Sequence, residues 1–149
     1  TYDADFADKT KRLTALSVRN HVGAGAAQLI VGFVIVGDAP RRVLLRGVGP
    51  SLLADSPELT GLVLENPTLQ LNRYTPSQIT KWTVVGANDD WGGATTLAET
   101  MHAVGMSALP AASKDAVLLV DLPPGIYTAQ VTGVGDTTGI ALVEIYEAP

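Results

Sequence analysis

The feature of this sequence that most limits its fold is a succession of short runs rich in β-branched residues, separated by turns that contain glycine or proline. The runs span residues 13–19, 28–36, 42–48, 68–74, 79–87, 116–122, 126–134 and 140–146. Short runs with turn residues between them are typical of antiparallel strands that pack as two sheets. The pattern therefore predicts an all-β protein, an antiparallel β-sandwich of about eight strands in a jelly-roll or related Greek-key order.

Some of these runs also indicate how the strands are used. The runs 28–36 and 42–48 are almost wholly apolar, as expected of strands that are buried on both faces, although the second contains Arg46. The last two runs are joined by residues 135–139, a loop that begins and ends with glycine, which predicts a β-hairpin. The Pro-Pro-Gly turn at residues 123–125 marks where the first of these two strands begins.

One segment departs from the β pattern and predicts a short helix over residues 96–104. Its apolar residues recur at helical spacing, at Leu97, Met101 and Val104. Thr96 and Glu99 have the spacing of a capping box, and Gly105 stands where such a helix would end. A further helical turn is predicted over residues 49–54, with proline near its start. The sandwich thus carries one or two short helical insertions.

The length and composition predict one folded domain with an extension. Residues 1–12 are polar and lack clear periodicity, so they are interpreted as an arm or linker whose aromatic side chains, Tyr2 and Phe6, are available for docking. Residues 13–149 are interpreted as a single β-sandwich domain, since 149 residues suffice for a hydrophobic core. Hydrophobic residues make up 46% of the chain and charged residues 17%, which argues against disorder.

Composition also disfavours several classes of function. The net charge of −5 disfavours binding to nucleic acid or to anionic lipid. The absence of cysteine excludes disulfides, thiolate metal sites and a cysteine nucleophile. No apolar run approaches the roughly 20 residues that span a membrane. The chain starts with threonine rather than methionine, as expected of a processed secreted form or of a piece of a longer chain.

The stretch NDDWGG, residues 88–93, has three interpretations. In the first, Asn88, Asp89 and Asp90 supply oxygen ligands to calcium, although the spacing of an EF-hand is missing. In the second, Trp91 stacks on a sugar ring while the aspartates bond the sugar hydroxyls. In the third, an aspartate forms an Asx-turn, the glycines reverse the chain, and Trp91 buries its ring. The structural corner is favoured, and calcium is the one cofactor that remains open.

Arg46 lies in the middle of an apolar run, where an unpaired guanidinium would be costly. A carboxylate partner is therefore expected, and the candidates are Asp89, Asp121 and Glu144. The last two also interrupt apolar strands. A clamp for a ligand is the functional alternative, but an internal ion pair is favoured because buried charges are normally paired.

Catalytic groupings are weak in this sequence. Ser51 follows a Gly-Pro pair but lacks the closing glycine of a nucleophile elbow. The two histidines, His21 and His102, show neither zinc-ligand spacing nor a relation to Ser51 that would define a triad. We therefore do not expect an enzyme.

Four stretches together resemble a β-sandwich module found in large secreted bacterial proteins, often in several copies near their C-termini. They are LLRGVGPSL (residues 44–52), NPTLQL (66–71), NDDWGG and LPPGIYTAQVTGVGDTTGIALVEIY (122–146). This resemblance covers residues 13–146. The portion GIYTAQVTG (125–133) is also similar to the final strands of pre-peptidase C-terminal domains, a likeness confined to the end of the chain. The resemblance implies a non-catalytic exported module.

Two functions from different classes follow from these observations. The first is an extracellular or cell-surface structural or adhesive module that assembles with copies of itself or docks to neighbouring domains. Its arm would then add a strand to a neighbour's sheet. The alternative is a polysaccharide-binding accessory module, stabilised by calcium in one version. Neither function involves nucleic acid or membrane insertion.

Overall fold

The computed structural model of the chain describes residues 14–77, 79 and 81–149. The predicted arm, with Tyr2 and Phe6, lies outside these residues. The described chain contains the strands and the α-helix β1 (Ala15–Val22), β2 (Leu29–Ile35), β3 (Arg41–Val48), β4 (Pro67–Tyr74), β5 (Trp82–Asn88), α1 (Thr95–Ala103), β6 (Ala116–Leu122), β7 (Gly125–Gly133) and β8 (Gly139–Glu147). Short 3-10 helices lie at Pro50–Ala54, Pro57–Leu59 and Val134–Asp136.

The strands form two four-stranded antiparallel sheets. Sheet A has the order β1-β8-β3-β6, and sheet B has the order β2-β7-β4-β5. Neighbouring pairs along the chain lie across the two sheets from each other, β1 on β2, β3 on β4, β5 on β6 and β7 on β8. This is a jelly-roll order, so the predicted all-β sandwich is confirmed.

The hairpin predicted between the last two strands is wrong. β7 pairs with β2 and β4 in sheet B, whereas β8 pairs with β1 and β3 in sheet A. The glycine-bounded loop therefore crosses from one sheet to the other. A turn-rich loop between two strands has the same local signature in either case, and only the long-range pairing decides between a hairpin and a crossing.

The main core lies between the two sheets. Alternate residues of each strand point into it, among them Leu45, Leu69, Tyr127, Val131 and Val143, all fully or almost fully buried. The ring of Tyr127 stacks on Phe33, and its hydroxyl donates a hydrogen bond to the Pro123 carbonyl at 2.7 Å. Period-two burial of this kind is what holds each strand in its register.

A second core lies on the outer face of sheet A. It is covered by residues 89–115, which include α1 and which we call the cap. Leu44 and Val48 of β3 face this side and pack with Trp91, Met101 and Met106 of the cap. Because the cap covers the outer side of β3 and sheet B covers its inner side, β3 is buried on both sides, as its apolar run predicts.

The corresponding prediction for β2 is wrong. Leu29 and Val31 are buried in the main core, but Ile30 and Val34 point outward and are half exposed. The reason is that β2 is an edge strand of sheet B, whose outer face is not covered by the described residues. An apolar outward position and a buried one give the same sequence pattern, so periodicity did not separate them.

The predicted helix is confirmed as α1, but its predicted capping box is wrong. The helix begins one residue earlier, at Thr95, with Ala94 as N-cap and no side-chain cap. Thr96 is already helical, and its carbonyl accepts a hydrogen bond from the Thr100 hydroxyl at 2.8 Å. The end is as predicted. Gly105 has φ +77° and, with Met106, closes a Schellman motif by bonding back into the last turn.

Candidate functional site

The NDDWGG stretch forms the corner where β5 ends and the cap begins. Trp91 is 5% exposed and packs in the second core. Its indole Nε1 donates to the Pro110 carbonyl at 3.0 Å and to the Ser113 hydroxyl at 3.1 Å, while its backbone N–H donates to the Asp115 carbonyl at 2.9 Å. The indole thus fastens the cap onto sheet A, and its ring is not presented as a platform for a sugar.

The polar residues of the corner also form hydrogen bonds and an ion pair within the chain. Asn88 accepts a hydrogen bond from the Val117 N–H at 2.9 Å and donates one to the Asp90 carbonyl at 3.2 Å. The carboxylate of Asp90 meets the Lys114 ammonium at 2.7 Å. This contact, together with the negative charge of Asp90 and then of Asp89, raises the pKa of Lys114. No group of three metal-ligating side chains occurs in the part of the chain that the structure describes.

Calcium is accordingly expected to leave the stability of the protein unchanged. The Lys114 ammonium already pairs with the Asp90 carboxylate, whereas calcium takes six to eight oxygen ligands. Thermal melting with and without millimolar calcium should give the same Tm, since only a ligand of the native state raises it. A rise in Tm that Asp90→Asn abolishes would contradict this expectation.

Arg46 and Glu144 form a buried ion pair between β3 and β8. They are cross-strand neighbours on the cap side of sheet A. Arg46, 2% exposed, donates from Nε to Glu144 Oε2 at 2.8 Å and from Nη2 to the same oxygen. Its Nη1 donates to the Ser107 carbonyl at 2.6 Å and contacts the Met101 sulfur. The guanidinium is therefore a clamp between sheet and cap, with no opening for a ligand.

The other two carboxylates proposed for Arg46 lie elsewhere. Asp121 forms an exposed pair with Arg42, at 3.0 Å between Arg42 Nε and Oδ1, and this hydrogen bond lowers the pKa of Asp121. Asp89 is the first residue of the cap and is exposed. The strand register determines which carboxylate each arginine meets, because β3 places Arg42 opposite Asp121 and Arg46 opposite Glu144.

Asp115 is a structural residue that the sequence analysis missed. Its carboxylate is fully buried and accepts hydrogen bonds from the Gly49 N–H, at 2.8 Å, and from the Ser51 hydroxyl. The hydroxyl of Ser51 is thereby held by a carboxylate rather than by an imidazole. A lone aspartate directly before an apolar strand was the available signal.

The outer face of sheet B is the most distinctive surface of the described chain. Six of its ten exposed large apolar side chains lie on the strands of this sheet: Ile30, Val34, Trp82, Val84, Val85 and Ile126. We call this surface the open face, defined by residues 30, 32, 34, 68, 70, 72, 74, 82, 84, 85, 87, 126, 128, 130 and 132. None of these positions holds a charged residue.

The centre of the open face is polar but uncharged. The hydroxyls of Thr68 and Thr132 meet at 2.6 Å across β4 and β7, and Gln70 Nε2 donates to Asn72 Oδ1 at 2.9 Å. Asn72 is 5% exposed, and its buried Nδ2 has no hydrogen-bond partner among the described residues. At one end of the face the rings of Tyr74 and Trp82 lie 5.3 Å apart. The face thus combines an apolar rim with a centre of amides and hydroxyls.

The open face is not predicted from the sequence, because the apolar run of β2 indicates a strand that is buried on both faces. Trp91, rather than Trp82, is the tryptophan that stands beside candidate polar ligands in the sequence. The sequence does contain a signal for the open face. Most of the outward residues of β2 and β5 are apolar, and most of the outward residues of β4 and β7 are polar but uncharged. Joining these signals requires the strand order of sheet B, which the sequence does not state.

Comparisons with known proteins show a likeness of fold. No protein-family model matches the chain, and no curated protein matches it significantly. Among solved structures, the pre-peptidase C-terminal domain of a collagenase from Bacillus anthracis matches with a TM-score of 0.50 and 9% identity, covering 89% of each chain. A mitogen derived from Yersinia pseudotuberculosis matches with a TM-score of 0.45 and 9% identity, covering 89% of this chain and 85% of the mitogen.

The expected resemblance to pre-peptidase C-terminal domains is confirmed at the level of fold. It is broader than expected, because it extends over most of the chain rather than over the final strands alone. In the described ranges, no helix is long and apolar enough to cross a membrane.

Proposed function

We propose that this chain is a non-catalytic, extracellular structural or adhesive module that docks onto other protein surfaces through the open face of sheet B. The observation that carries the proposal is the gathering of exposed apolar side chains on one uncharged face. Exposed apolar side chains that are scattered singly over a surface need no explanation, whereas their clustering on one face is a mark of an interaction site.

The rest of the molecule supports a non-catalytic role. Two of the described groups that could serve as nucleophile or base are engaged in holding the fold. Ser51 is bonded to Asp115, and Glu144 is bonded to Arg46. The fold likeness to a pre-peptidase C-terminal domain is compatible with this role but does not carry it.

Polysaccharide binding is the second candidate function. The tryptophan that would contact the sugar is Trp82, whereas the sequence indicated Trp91. Trp82 is 41% exposed and stands beside Tyr74 at the end of a row of amides, a combination that suits sugar rings and hydroxyls. Most of the exposed rim, however, is Val and Ile rather than aromatic. Aliphatic side chains pack against protein better than they stack on sugars, so protein docking is favoured.

Photo-crosslinking in the cells that secrete the protein tests the proposal. A benzophenone side chain in place of Val84, 56% exposed on the open face, should give crosslinked protein adducts on irradiation. The matched control is the same side chain in place of Leu62, which is 55% exposed and whose carbonyl accepts a hydrogen bond from Ile140 of sheet A. The adducts are identified by mass spectrometry.

The outcomes separate the two candidates. Protein adducts that form at position 84 and not at position 62 support docking through the open face. Equal yields at the two positions would contradict it. Adducts to carbohydrate alone at position 84, with retention on an insoluble glycan that Trp82→Ala abolishes, would establish the second candidate instead.

A further inference from the structure

We infer that the surface docked on the open face is the open face of a second copy of this chain, in a two-fold, face-to-face arrangement. This inference rests on the proposed function and specifies its partner. It is carried by the charge distribution, the hydrogen-bonding chemistry and the size of the face.

The distribution of charge favours a second copy as the partner. The chain carries 15 acidic and 10 basic residues, and none of them lies at the outward positions of sheet B. In a two-fold interface the same patch occurs on both sides, so a charge near the axis meets its own equivalent. A chain with a net charge of −5 repels a copy of itself over much of its surface, and the open face avoids that repulsion. A face shaped for a charged partner would instead carry complementary charges.

The central side chains of the open face can hydrogen-bond to the same side chains of another copy. Gln70 and Gln130 are cross-strand neighbours, and Asn72 pairs with Thr128 in the next outward row. Amides and hydroxyls both donate and accept hydrogen bonds, so a row of them is complementary to its own copy. Among the described residues, the buried Nδ2 of Asn72 has no hydrogen-bond partner.

The size of the face sets the expected affinity. Four strands at about 4.8 Å spacing, each with about seven residues rising about 3.3 Å, give a footprint of roughly 450 Å². A stable interface buries about 800 Å² on each partner. The dimer should therefore be weak, with a Kd between about 1 μM and about 1 mM. Contacts of this strength hold when several copies are linked, as in an adhesive array.

The N-terminal segment of the chain is a poorer occupant of the same face. Residues 1–13 contain six charged side chains, at Asp3, Asp5, Asp8, Lys9, Lys11 and Arg12. The open face offers these charges no counter-charge. The segment also joins the described chain beside β1, which belongs to sheet A rather than to sheet B.

Sedimentation equilibrium over about 10 μM to about 1 mM protein tests the inference. The wild type should associate reversibly to a dimer. Gln130→Glu, a near-isosteric change on the central strand β7, and Gln130→Lys should each weaken association about tenfold, because each places like charges across the axis. An equimolar mixture of the two variants should associate again, since opposite charges then meet. Leu62→Lys should dimerise as the wild type does.

Each other outcome overturns part of the argument. A wild type that is monomeric throughout overturns the second-copy inference, while the crosslinking at position 84 still decides the proposed function. A dimer that both Gln130 variants leave intact places the contact on another face and overturns the inference. Retention on an insoluble glycan by a monomeric protein overturns it in favour of polysaccharide. Thermal melts of the variants confirm that each is folded.

Discussion

Replacing Glu144 with alanine lowers the free energy of unfolding by about 3–5 kcal/mol, because the Arg46 guanidinium is left buried without its counter-charge. Arg46 is almost wholly inaccessible to water, and two of its nitrogens bond the same Glu144 oxygen. Its remaining contacts, with the Ser107 carbonyl and the Met101 sulfur, carry no full negative charge. Urea unfolding at pH 7, followed by circular dichroism, measures the loss.

The chain contains a matched control for this prediction. Arg42 and Asp121 form a cross-strand pair on the same strand β3, but both side chains are about half exposed. At pH 7 Asp121 is ionised, since Arg42 lowers its pKa below the usual 3.8. Asp121→Ala should nevertheless cost little, because exposed ion pairs are hydrated and screened.

A double variant separates the ion pair from simple loss of packing. Arg46→Met with Glu144→Leu removes both charges and keeps the volume apolar, so it should recover most of the stability that Glu144→Ala loses. A Glu144→Ala protein as stable as the wild type would show that water or another group compensates Arg46. That result would refute the clamp.

Replacing Trp91 with alanine lowers the free energy of unfolding by about 3–5 kcal/mol, the range for large aromatic residues in a core. The indole is enclosed between sheet A and the cap, and its loss also removes a donor to Pro110 and Ser113. Chemical unfolding measures the loss. A sugar-stacking Trp91 would instead give a stable protein that no longer binds its ligand.

Trp82→Ala is the control for this second prediction. The chain has only two tryptophans, so each variant reports on the other. Trp82→Ala should retain nearly full stability and show the blue-shifted fluorescence of a buried indole. Trp91→Ala should show the red-shifted emission of the exposed Trp82. Similar losses of stability in both variants would contradict the assignment of Trp91 as the buried residue and Trp82 as the exposed one.

Much of the fold was predictable because its signals are local. The eight runs correspond to the eight strands, and the helical spacing at Leu97, Met101 and Val104 corresponds to α1. Gly105 ends that helix because its positive φ is tolerated by glycine and strained for other residues. These features depend on residues a few positions apart, so the local sequence is enough to predict them.

The candidate site was less predictable for the opposite reason. Three carboxylates were compatible with Arg46, and the choice of Glu144 depends on a contact between residues 98 positions apart. The role of Asp115 depends on Gly49 and Ser51, more than 60 positions away. Nothing in the local pattern ranks such partners, because the pairing register of β3 and β8 must be known first.

The sequence by itself determined the all-β fold class, the positions of the strands and of the helix, and the low charge content that allows an uncharged surface. Only the tertiary structure decided which apolar residues are covered. The cap closes over sheet A and buries Trp91, Arg46 and Glu144, while sheet B receives no such layer from the described residues. The hydrophobicity of a side chain shows that its burial is favourable. Whether it is buried within its own chain or left exposed for contact with another surface depends on how distant segments pack.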